Sequence, residues 1–201
     1  VVKQAKSKNE VSILKLAEKN AKQALTQKLI QSDTNNNLIE SLSNKFKINE
    51  NIDLIEVYDN SHIQGTDSIG ALICFGREGF VKKRYRKFNI KNDDIKNDDY
   101  GMMREVLFRR FSKAVKEKSG SLSLPDLVIL DGGKGQYSVG REVLDGLGLY
   151  DIPILAVAKG VKRNAGEEKI YHIGKEYNLN KNDPLLFFIQ RLRDEAHRFA
   201  I

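Results

Sequence analysis

A chain of 201 residues holds one well-buried domain and an appendage rather than two full cores, since single domains commonly run to roughly 100–150 residues. Lys and Arg number 34 against 27 Asp and Glu; the net charge of +7 favours a polyanionic partner without separating DNA, RNA and an anionic membrane. The only cysteine, Cys74, excludes an internal disulfide and a Cys-rich zinc site, no apolar run approaches the roughly 20 residues of a membrane span, and the opening VVKQAKSKNE lacks the apolar core of a signal peptide, so a soluble protein of a reducing cytoplasm is expected.

Residues 9–30 carry Leu14, Ala17, Ala21, Leu25 and Leu29 at helical spacing, an amphipathic helix with a weak, alanine-rich stripe. The polar run SDTNNN at 32–37 predicts a break, and 38–46 a second short helix, so residues 1–48 read as a helical linker region and 49–201 as the main domain. From Ile52 the pattern turns to strands. IDLIEVYD (52–59), DSIGALICF (67–75) and GFVKKRYRKF (79–88) predict three strands in an antiparallel meander, with a hairpin turn over 76–79. Asp98 can cap a helix whose inner face carries Met103, Leu107, Phe111 and Ala114 or Val115.

The stretch PDLVILDGGKGQ (125–136) follows. Leu127, Val128, Ile129 and Leu130 are an unbroken apolar run, as in a strand covered on both faces, and deliver Asp131 to its carboxyl end. Gly132, Gly133 and Gly135 then form a turn open to close approach by a ligand, although an ordinary strand end with a capping Asp accounts for the same residues. Residues 136–147 predict a helix with Val139, Val143 and Leu147 inward, ILAVA (154–158) a buried strand and KIYHIG (169–174) a short exposed one. Asp183 and Pro184 start a last helix. The expected fold is thus α/β: a five-stranded mixed sheet, three strands in a meander and two parallel, flanked by helices. Right-handed crossovers put the first strand in the middle, parallel to 127–131, which sets Asp59 beside Asp131 at one sheet edge.

Two carboxylates at adjacent strand ends repel unless a cation lies between them, and such hard oxygen ligands suit Mg²⁺ or Mn²⁺, ions that activate water against a phosphodiester. Asp59 can equally be a strand-end Asx turn leading into Asn60 and Ser61. His197 lies to one side of the stripe of Leu185, Ile189, Leu192, Ala196 and Phe199, together with Gln190, Arg193 and Asp194. It is either an imidazole favoured by the helix terminus or a metal ligand or proton carrier. His172 lies in the strand expected to be exposed, outside the candidate site. Asp98 and Asp99 are caps or, for Asp99, a third acid at the sheet edge. Lys82, Lys83, Arg84, Arg86 and Lys87, the group Arg109, Arg110 and Lys113, and Lys134 in the glycine turn form solvated faces or phosphate contacts. GGKGQ has the spacing of neither a Walker A nor a Rossmann loop.

EVYDNSHIQGT (56–66), DDYGMMREVLFRRF (98–111), PDLVILDGGKGQ (125–136) and QRLRDEAHRFA (190–200) together resemble the C-terminal nuclease domain of the UvrC family, the excinuclease subunit of bacterial nucleotide excision repair. The resemblance covers about residues 50–201. It implies an RNase H-like fold, incision 5′ to a lesion in double-stranded DNA with Mg²⁺ or Mn²⁺, and UvrB and UvrA as partners. It carries catalytic roles onto Asp59, Asp131 and His197, matches a further family aspartate to Asp99, and makes Asp59 and Asp131 the metal ligands. Lys82, Lys83, Arg84, Arg109 and Lys134 are the candidate nucleic-acid contacts. The family's other nuclease domain, its UvrB-binding segment and its helix-hairpin-helix pair are not found here, and the helix at 9–30 resembles the stretch after the UvrB-binding motif. YDNSH departs from the family's common isoleucine at Asn60. The other reading, a catalytically silent nucleic-acid-binding module, is opposed by Asp59, Asp131 and His197 standing together.

Overall fold

The computed structural model describes residues 7–49, 51–63, 67–91, 93–95, 98–116, 123–159 and 168–201. Helix α1 runs unbroken over Lys8–Phe46. Its start is fixed by a capping box, in which Glu10 N–H donates to Ser7 Oγ (3.2 Å) and Ser7 N–H to Glu10 Oε2 (2.9 Å). It ends at Lys47, left-handed at φ 54°, whose N–H returns to the Ser43 carbonyl.

The break expected at 32–37 is absent, because docking outweighs the weak helix preference of these residues. Asn35 is buried and donates its side-chain amide to the Arg77 carbonyl, Thr34 bonds back to the Ile30 carbonyl, and Ile39, Leu42 and Phe46 then enter the core. Upstream, Leu14, Leu25 and Leu29 stay more than half exposed.

One sheet organises the rest. Its strands are β1 (Leu54–Ile63), β2 (Asp67–Gly76), β3 (Gly79–Phe80), β4 (Arg86–Asn89), β5 (Leu127–Asp131), β6 (Ile154–Ala158), β7 (Lys169–His172) and β8 (Lys175–Asn178). They stand in the order β3-β2-β1-β5-β6-β7-β8, with β4 also on β2. β1 lies between β2 and β5 as expected, antiparallel to β2 and parallel to β5, and β5 is parallel to β6; β7 and β8 shift the middle of the sheet to β5. Helices α2 (Asp99–Lys116) and α3 (Lys134–Gly146) cover one face over Tyr58, Leu72, Val128 and Leu130. The last helix, α4 (Pro184–Ala200), and the second half of α1 cover the other over Val57, Ile73, Ile129 and Val157.

Among the described residues the sheet has eight strands rather than five. The run 79–88 is not one strand: three consecutive charges, Lys82, Lys83 and Arg84, break the apolar alternation, and the chain leaves the sheet there in a 3₁₀ turn before β4 rejoins β2. At the other edge β7 turns back into β8 through Ile173 and Gly174, both at positive φ, 44° and 69°. His172 is buried rather than exposed: its Nδ1 lies 2.8 Å from the Ile154 carbonyl, and Phe46 packs edge-on against the ring. Burial holds its pKa below the ordinary histidine value.

Candidate active site

The pairing of Tyr58 with Leu130 brings the next residues, Asp59 and Asp131, side by side at the carboxyl ends of β1 and β5. They stand two residues beyond Val57 and Ile129, whose side chains lie under α4, so both carboxylates are on the face of that helix. Asp183 begins α4 by accepting the Leu185 N–H at 2.9 Å, and Pro184 occupies the first turn. The buried Leu185, Ile189, Leu192 and Ala196 seat the helix across β1 and β2.

That seating brings two side chains, one turn apart, onto the two acids. Arg193 donates through Nε (3.0 Å) and Nη2 (2.7 Å) to Asp131 Oδ1. His197 Nδ1 lies 2.9 Å from Asp59 Oδ2. Arg193 is buried, whereas the His197 side chain is 52 % exposed and forms the open wall of the site. Asp59 is buried; that burial and then the charge of Asp131 raise its pKa above the usual aspartate value, partly offset by the hydrogen bond from His197.

Arg193 escaped the sequence reading as a site residue, although its position beside the apolar stripe was legible. The usable signal is its i−4 spacing to His197, which puts both on one helix face. Asp99, the first residue of α2, stands on the other side of the end of β1. Its carbonyl accepts the Asn60 amide at 3.1 Å, tying the start of α2 to the residue next to Asp59. The glycine turn is fitted to this corner: Gly132 has φ +152°, and a Cβ on Gly135 would run into the Tyr100 ring.

The cationic candidates separate by what they already hold. Lys82 and Lys83 are exposed on the 3₁₀ turn, and Lys134 is exposed on the first residue of α3. Arg84 donates to Ser123 Oγ (3.0 and 2.9 Å) and to its carbonyl (3.1 Å). Arg109 bonds the Asn89 carbonyl (2.7 Å) and Glu105 (2.9 Å) and lies over Phe88. Arg110 is internal, 2.6 Å from Glu56, whose other oxygen accepts from Tyr58 OH at 2.6 Å.

Among the described residues no three Asp, Glu, His or Cys side chains converge into a closed metal cage. Asp59 and Asp131 nevertheless fit a hard divalent cation, which binds through one or two carboxylates and completes its shell with water and phosphate. The mutual repulsion of the two acids is what such an ion relieves. Cys74 is not a nucleophile for this site: it is buried, and burial lifts its thiol pKa to about 12.

Residues 43–201 match the family described as the UvrC RNase H endonuclease domain. The chain is 51 % identical to UvrABC system protein C of Hyphomonas neptunium, covering 94 % of this chain and 32 % of that protein. It is 46 % identical to the protein of the same name from Ruegeria sp. strain TM1040, covering 100 % and 32 %. The chain thus spans about 32 % of the length of these curated relatives. Among solved structures, a Ciona intestinalis Endonuclease V in complex with inosine-containing DNA is similar at 15 % identity and TM-score 0.38, over 70 % of this chain and 59 % of that one. The catalytic domain of human Endonuclease V is similar at 18 % identity and TM-score 0.35, over 54 % and 45 %.

Proposed function

We propose that this chain, which belongs to the UvrC RNase H endonuclease domain family, hydrolyses a phosphodiester bond 5′ to a lesion in double-stranded DNA during nucleotide excision repair. In this reading the full-length protein works in the cytoplasm with UvrA and UvrB, the partners implied by the name of the relatives. No helix among the described residues is long and apolar enough to cross a membrane. Residues 49–201 are the nuclease domain, and 1–48 a helical linker whose last turns dock on it.

The observation that carries the reading is the convergence of Asp59, Asp131 and His197 on one open sheet edge. Asp59 and Asp131 would hold Mg²⁺ or Mn²⁺, which when bound supplies charge stabilisation at the phosphate and an activated water. Arg193 fixes Asp131 through Oδ1, so in this reading Oδ2 is the oxygen for the metal. His197 gives Nδ1 to Asp59, so Nε2 is the nitrogen left on the exposed side to hold water or move a proton at the substrate. Asp99, at the start of α2, is the further acid of this reading, held near the site through the bond of its carbonyl to Asn60. Lys82, Lys83 and Lys134 take phosphates directly, and Arg84 and Arg109 do so on exchanging their internal partners.

The test is incision of a duplex carrying one bulky adduct by the full-length protein with UvrA and UvrB, with and without Mn²⁺. Asp131→Asn and His197→Ala should each abolish the 5′ nick while the 3′ nick, which the family resemblance gives to the other nuclease domain of the full-length protein, persists. A wild-type 5′ nicking rate in either variant would overturn the catalytic assignment. Retained DNA binding by a wild-type protein that never makes the 5′ nick would make the chain a binding module instead.

A further inference from the structure

The sheet register leads outward from the acids to a cation. Asp59 pairs with Ala71 on β2, and Ala71 pairs with Lys87 on β4. Paired residues share a face, so Asp59, Ala71 and Lys87 form one row beneath the end of α4. Two strand spacings put the Lys87 backbone about 10 Å from that of Asp59.

Lys87 is exposed, and its Nζ lies 5.3 Å from the ring centroid of Phe199, two residues beyond His197 on α4. Phe199 is itself held edge-on by Tyr85 at 5.0 Å. The ring limits the directions open to the ammonium without neutralising it. Arg84, Arg109 and Arg198 differ in that their guanidinium groups are bound to Ser123, Glu105 and Glu195. Ala71, between Asp59 and Lys87, is fully buried and carries no charge.

The same row runs the other way without any cation. Asp131 pairs with Val157, Val157 with Ile170 and Ile170 with Tyr177; Val157 and Ile170 are fully buried. A polyanion crossing the acids therefore meets an exposed cation on the β4 side and no charge along the row on the β7 side.

We propose that Lys87 is a phosphate-holding subsite of the cut strand, placed on the β4 side of the scissile bond and setting the direction in which the strand crosses the sheet. At about 3.4 Å of rise per nucleotide on one strand, the phosphate held lies within about three nucleotides of the cut. This rests on the nuclease reading above, and Lys87 acts as a positioning residue, since it binds the backbone rather than the reacting atoms.

The experiment uses full-length protein with UvrA and UvrB on a duplex with one fluorescein adduct. Single neutral methylphosphonates replace, in turn, each phosphate near the 5′ cut. Wild type should be slowed at one position to one side of the cut. Lys87→Met should nick about tenfold more slowly, the loss of one charge-assisted contact, and should be indifferent to methylphosphonate at that same position. Lys87→Arg should restore most of the rate and the wild-type interference pattern. Lys175→Met, an exposed lysine at the opposite edge, should leave both unchanged.

A Lys87→Met rate and interference pattern equal to wild type would overturn the subsite while leaving the nuclease reading intact. A slower Lys87→Met that keeps the wild-type interference pattern would also overturn it, because the lysine would then act other than through a phosphate. Absence of a 5′ nick from wild type would overturn the nuclease reading, and the subsite with it.

Discussion

Asp59 has been taken out of water and set beside a second carboxylate, so its ionisation works against the metal-free fold. A carboxyl with a raised folded pKa contributes stability that is full below its unfolded value, near 4, and is lost as pH rises through the folded value. Asp59→Asn, which keeps shape without charge, should therefore melt higher than wild type at neutral pH in EDTA, with the gap closing as pH falls toward about 4. Saturating Mn²⁺ should reverse the order. A lower melting point for Asp59→Asn in EDTA would show that its bond to His197 outweighs the repulsion. The two α4 residues divide differently. Arg193→Met strips a buried counter-ion from Asp131 and should cost about 3 kcal/mol in urea unfolding. His197→Ala removes a half-exposed ring and should cost less than about 0.5 kcal/mol. Equal costs would contradict the separation of a structural cation from a chemical imidazole.

Among the elements, α1 performs two tasks along one continuous axis. Its second half is a core element: Leu42 is fully buried and Phe46 packs on His172 and Tyr177. Leu42→Ala should cost about 2–5 kcal/mol, as large-to-small core changes do. Leu25, 58 % exposed near the middle of the same helix, should tolerate Ala within about 0.5 kcal/mol. Chemical denaturation of the two variants checks both figures, and a large loss at Leu25 would mean that its face is covered. α4 owes its precision to the same physics. Four buried apolar residues on one stripe fix its rotation, and rotation decides whether Arg193 and His197 meet the acids.

For the whole molecule, a site with two adjacent acids, only one of them paired to an arginine, links metal binding to stability. An ion that binds only the folded chain adds about 2.7 kcal/mol at 100 times its dissociation constant. Thermal melts in Mn²⁺ should show this gain, EDTA should remove it, and Asp131→Asn should abolish it. An equal gain in Asp131→Asn would place the ion elsewhere. Much of this architecture was determined by the sequence alone. The apolar runs of β1, β2, β5 and β6, the helical stripes of α2, α3 and α4, and right-handed crossover were enough to set Asp59 beside Asp131, because strand order follows from local pattern and chain connectivity. Tertiary structure decided the rest. SDTNNN is a weak helix segment by propensity and stays helical because Asn35 and Ile39 dock. His172 reads as an exposed strand residue until the β8 hairpin and Phe46 enclose it. Arg193 reaches Asp131, and Lys87 shares a row with Asp59, through helix rotation and strand register. Both are set by side chains packing across the whole core, and no local stretch of sequence contains that information.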